Sequence, residues 1–128
     1  MVQQQGASSY YLGILAEAVH ILTVHPGDAK ARLRACWTPL VVAGGGVPPH
    51  LKADYLEICD AMTRRHPAES IWVDGVGKVD SDEPYAKMAY TTRTMRNKTA
   101  SALAERILTL KLQWQHSVDF DFRQAHRT

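Results

Sequence analysis

Cysteine is scarce in this sequence, with Cys36 and Cys59 the only two among 128 residues. Two thiols without a short metal-ligand spacing cannot form the disulfide framework of a small secreted scaffold, so the expected setting is reduced and cytoplasmic. Charge of one sign is equally lacking. Fifteen Lys and Arg against thirteen Asp and Glu leave a formal +2, and no polyanion partner follows from that total. The apolar run from Leu12 to Val24 covers only thirteen residues, is interrupted by Glu17 and His20, and has no basic residue before it. It is too short to span a bilayer and lacks the charged start of a signal peptide, so no membrane association is expected. Repeats and low-complexity segments are absent too. What remains is ordinary globular composition, 45% apolar and 22% charged, at a length that suits a single domain over 1–128.

Apolar spacing of three and four dominates the chain. Ser8 or Ser9 is expected to cap a first helix whose face carries Leu12, Leu15, Val19 and Leu22, widened by Tyr11, Ile14 and Ile21. His25, Pro26 and Gly27 end it, and Asp28 offers a cap to a second helix with Leu33, Cys36, Trp37, Leu40 and Val41 on one stripe. Pro39 lies within that stripe and predicts a kink, or an end near Thr38, with Gly44 to Gly46 as the linker beyond. Pro48 and Pro49 suit the first turn of a third helix bearing Leu51, Tyr55, Ile58, Cys59 and Met62. Residues 71–79 break the pattern: Ile-Trp-Val and Val-Gly-Lys-Val flank Asp74 and Gly75, which reads as a hairpin with a two-residue turn or as an irregular insertion.

Asp80, Asp82, Glu83 and Pro84 then mark a helix start. From Tyr85, the positions Met88, Thr92, Met95, Thr99, Leu103, Ile107, Leu110 and Trp114 keep helical steps, and a single helix of about 30 residues is the simplest expectation. The competing expectation breaks it at Asn97, as the cap of a separate helix. The polar tail 117–128 alternates Val118, Phe120 and Phe122 with Asp119 and Asp121, a period of two that fits a strand, or else a frayed terminus. The predicted architecture is all-α: a bundle of four to five helices with a long C-terminal helix and the 71–79 insertion.

No catalytic or cofactor motif is complete, and neither a cofactor nor a metal is expected. A phosphate loop needs a glycine five positions before the Gly77–Lys78 pair and a hydroxyl residue after it, but Trp72 and Val79 stand there. Gly44 to Gly46 follows a helix and precedes two prolines, unlike a dinucleotide fingerprint. The six histidines have no zinc-type spacing. Asp54, Glu57 and Asp60 fall on the exposed side of the third helix, where acids serve solvation and not paired acid–base chemistry. A site assembled from dispersed His and Asp residues is a third, enzymatic possibility.

The informative signal is local charge. Between Tyr85 and His116 the bases Lys87, Arg93, Arg96, Lys98, Arg106 and Lys111 face one acid, Glu105. On a continuous helix these bases point in several directions, so a solvated surface competes with a binding one. Arg96 and Arg106 would fall beside the apolar stripe and would have to pair, stack or reach an interface. Leu108 and Leu112 add apolar surface opposite Leu110 and Trp114, which predicts cover from the first helix or from a second copy of the chain. The leading expectation is a non-catalytic interaction protein, an adaptor, regulator or inhibitor of a larger bacterial or phage complex, that binds another protein and forms a homodimer. The alternative is a nucleic-acid-binding subunit. The candidate contact residues are Arg64, Arg65, Arg93, Arg96, Lys98, Arg106, Lys111 and Trp114.

Overall fold

The computed structural model describes residues 2–73 and 75–125, with side chains over 9–73 and 75–124. The described residues form five α-helices, α1 (Val2–Val24), α2 (Ala29–Ala43), α3 (Lys52–Met62), α4 (Pro84–Thr94) and α5 (Asn97–Ala125), and one small antiparallel hairpin, β1 (Ile71–Val73) and β2 (Gly77–Val79). The expected all-α bundle with a long last helix and an insertion at 71–79 is the fold observed.

The main core gathers Leu12, Leu15 and Ala18 of α1, Leu33, Cys36 and Leu40 of α2, Ile58 and Met62 of α3, Met88 of α4, and Ile107, Leu110 and Trp114 of α5. α1 packs on both α2 and α5, which accounts for its broadly apolar surface. It begins at Val2, so Ser8 and Ser9 lie inside the helix and neither caps it. Six helical residues, Val2 to Ala7, precede Ser8, so the helix is already under way there. The end of α1 is held by Arg32, whose Nη1 donates to the Leu22 carbonyl at 3.3 Å.

Asp28 caps α2 as expected, its Oδ1 accepting from the Ala31 amide at 3.0 Å. Pro39 does not end the helix, which runs on to Ala43. Here a hydroxyl from another helix helps: Tyr55 Oη donates to the carbonyls of Leu40, at 3.0 Å, and Val41. The Gly44 amide turns back to Val41 and Val42, leaving the Leu40 carbonyl to that tyrosine. The glycine run is more than a linker. It forms a 3-10 turn, and a Cβ at Gly44 would run into the Tyr55 ring, one at Gly46 into the Tyr11 ring.

The hairpin sits on α4 through a second small cluster, Val73 and Val79 against Ala86 and Ala89. Trp72 and Lys78, the intervening positions, point outward, as a period of two requires. The register pairs Val73 with Gly77, so residues 74–76 form a three-residue connection instead of the predicted two-residue turn. Gly75 and Gly77 both take positive φ, 81° and 103°, and this places the extra residue.

The helix predicted to run unbroken from Tyr85 is two helices. Thr92 and Thr94 turn their hydroxyls back onto the carbonyls of Met88 and Tyr90, and Met95 adopts ψ 160°, which ends α4. The Arg96 carbonyl accepts the first α5 bond from the Ala100 amide, so Arg96 is the cap and Asn97 lies one residue inside. The tail is neither strand nor frayed through Ala125: α5 carries on for 29 residues, about 43 Å. Residues 126–128 of the predicted tail lie outside the described part.

Candidate interaction face

α5 has a fully used inner side. Ala100, Leu103, Ile107, Leu110 and Trp114 are all buried, and Val118 is partly so. Trp114, expected among the contact residues, is 0% exposed and belongs to the core. It stands on the same helical direction as Leu103 and Ile107, which commits it to the bundle.

The outer side of the same helix carries Leu108, 43% exposed, and Leu112, 55% exposed. At about 100° per residue these two lie some 40° apart and point away from Leu110 and Trp114. The first helix does not cover them. Past Val118 the helix outruns the bundle, since residues 119–124 are exposed on every side, with Phe120 and Phe122 among them.

A groove runs beside this face, between α5 and α3. One part, about 410 Å³, has Ile58 and Leu110 at its floor and Asp54, Glu105, Arg106 and Gln113 on its walls. The next part, about 430 Å³, shares Thr109 and Gln113 and reaches Leu51, Leu112, His50 and His116. His50 and His116, scattered in sequence, thus meet in one groove. His50 Nε2 is 2.8 Å from Ser117 Oγ, and that hydroxyl donates to the Gln113 carbonyl at 3.0 Å. With its only proton on the carbonyl, the serine accepts from the imidazole, which is the reverse of an activated nucleophile. Among the described residues no three His, Cys, Asp or Glu side chains gather where they could hold a metal.

The predicted basic residues divide into groups. Arg106 lies 3.5 Å from Glu57 of α3, Nη2 to Oε1, and Glu57 stays exposed as expected. Arg93 donates to the Trp72 carbonyl at 3.0 Å and fastens the hairpin to α4. Arg65 donates to the Thr94 carbonyl at 2.7 Å, while its backbone exchanges bonds with the Thr91 hydroxyl. Arg64 lies 3.6 Å from Asp60. Arg96 and Lys98 are exposed at the start of α5, and Lys111 is half-buried on its edge. The break before Asn97 takes Arg96 off the apolar stripe where an unbroken helix would have put it. Arg65, Arg93, Arg96 and Lys98 therefore cluster at the α4–α5 junction, whereas Lys111 is about 20 Å further along the helix.

Burial pushes the Cys36 thiol up to about 12 and raises the Cys59 thiol as well, so neither favours the thiolate that nucleophilic or redox chemistry would use. Among the described residues no helix is long and apolar enough to cross a membrane. Comparison with protein-family models, with curated proteins and with solved structures finds no match to this chain.

Proposed function

We propose that this chain is a non-catalytic intracellular interaction module, an adaptor, regulator or inhibitor, that docks through the outer face of α5. The carrying observation is the pair Leu108 and Leu112: two large apolar side chains, half exposed, on the solvent side of a helix whose other side already fills the core. Exposed leucines on adjacent turns are a helix-docking pattern. The groove toward α3 adds a polar rim of the kind that surrounds such anchors. The cytosolic setting is supported by the two unbridged, protonated thiols.

Tagged wild-type protein and its Leu112→Asp variant, recovered from cells that express it, should differ in what they retain. Specific partners are expected on the wild type and reduced at least about tenfold on the variant, because a desolvated leucine anchor contributes roughly one to two decades of affinity. Equal recovery on both would defeat the reading.

A second reading, nucleic-acid binding, is favoured by the junction cluster of Arg65, Arg93, Arg96 and Lys98. Four of the candidate arginines, Arg64, Arg65, Arg93 and Arg106, already pair or bond within the molecule, which weakens it. Retention on heparin that falls steeply with salt and with Arg96→Glu would support it; passage through heparin at low salt would remove it.

A further inference from the structure

The chain leaves the bundle to form the hairpin and returns from it, and the two ends of that excursion are tied to each other. Residues 64–70 lead from α3 into β1, and residues 80–83 lead from β2 into α4. In the first segment Pro67 is fully buried, Arg65 is bonded to Thr91 and Thr94 of α4, and His66 reaches across to the second segment. His66 Nε2 lies 3.0 Å from Asp82 Oδ1, while Nδ1 lies 2.7 Å from the Pro67 carbonyl oxygen. The turn that presents Asp82 is itself built. Asp80 Oδ1 accepts from the Asp82 amide at 3.0 Å, and the Asp80 carbonyl accepts from the Glu83 amide at 3.0 Å.

A neutral imidazole has one N–H and one lone pair, whereas the imidazolium has two N–H groups. At His66 both ring nitrogens face oxygens that only accept, a carbonyl and a carboxylate. The charged ring satisfies both. Either neutral tautomer turns a lone pair toward an oxygen and gives up one of the two bonds. We propose that His66 is a proton-operated clasp at the base of the hairpin, closed when the ring is charged and released when it is neutral. An imidazole exchanges its second proton close to neutrality, so the clasp is complete on the acid side and loosens as pH rises, while Asp82 stays ionised.

The charged groups around the clasp come from both segments and from α4. Asp80 and Glu83 flank Asp82 in the turn, and Glu69 follows His66 on its own segment, all of them exposed. Lys87, one turn before Thr91 on the side of α4 that Arg65 meets, is the opposing cation on that helix. Arg64 and Arg65 flank the ring in sequence, but they are engaged by Asp60 and by the Thr94 carbonyl. With side chains 49% and 86% exposed, His66 and Asp82 form a weak pair, which limits the clasp to a local effect. Its target is the hairpin, whose other attachments are the small cluster on Ala86 and Ala89 and the single bond from Arg93 to the Trp72 carbonyl.

Amide exchange with water, followed by NMR on the full chain at pH 5.5 and pH 8, tests this. Each rate is corrected for the intrinsic pH dependence of exchange, and the β1 and β2 amides are compared with those of α4. Their relative protection should fall about two- to fivefold between the two pH values, the fold-change that corresponds to one exposed ion pair. His66→Gln, which keeps a donor but does not titrate, should abolish that fall, and so should Asp82→Asn. Both side chains are at the surface, so both variants should fold as the wild type does. Hairpin protection equal at the two pH values, or a fall that survives either substitution, would overturn the inference.

Discussion

Tyr55 and Cys36 show how single side chains hold this bundle. The tyrosine hydroxyl completes the end of α2 from a different helix, and Gly44 is small because that ring passes over it. Cys36 is fully buried, its Sγ donating to the Leu33 carbonyl at 3.3 Å. Loss of water around the sulfur favours the neutral thiol and raises its pKa from 9.0 to about 12; burial raises Tyr55 and Cys59 in the same direction. The folded protein thus keeps a proton that the unfolded chain releases near pH 9. Stability is whole below that pH and falls as pH climbs toward 12, at about 1.4 kcal/mol per pH unit for a fully shifted group. Urea melts at pH 8, 9, 10 and 11 should show this decline, and Cys36→Ala should lower stability at pH 8 yet flatten the slope. A slope unchanged by the substitution would remove Cys36 as its source. That both cysteines were packing residues was readable from their place on apolar stripes. The tyrosine cap was not, because the carbonyls it serves lie about fifteen residues away in sequence.

Among the helices, α2 and α3 follow from local signals: an aspartate cap, prolines in the first turn, and apolar residues at steps of three and four. The α4–α5 break follows the competing expectation at Asn97 and not the apolar spacing. Met88, Thr92, Met95, Thr99 and Leu103 keep helical spacing straight across it, and the cause is threonine hydroxyls returning to carbonyls, which leaves no trace in the period of apolar residues. The C-terminal alternation of Phe and Asp misled for the opposite reason: an extension of α5 whose residues are exposed needs no apolar stripe. Since residues 119–124 are exposed all round, ending the chain after Val118 should leave the melting temperature within about 3 °C of the full chain. A large loss of thermal stability would mean that the extension is part of the fold.

For the molecule as a whole, the bundle separates two jobs along one helix. The inner side of α5 joins α1, α2 and α3 in the core, and the outer side is left with Leu108 and Leu112 in water. The sequence indicated that contrast, since a helix apolar all round must be covered all round. It could not show that Trp114 belongs to the inside, nor that Arg93 and Arg65 serve the molecule's own carbonyls; both depend on where α3, α4 and the hairpin meet. The most direct trial is photo-crosslinking in cells that express the protein, with a photoreactive phenylalanine replacing Leu112 in one variant and exposed Trp72 in another. Docking through α5 predicts a discrete adduct, to a partner or to a second copy, from position 112 and none from position 72. No adduct at 112, or the same adducts from both positions, would contradict it.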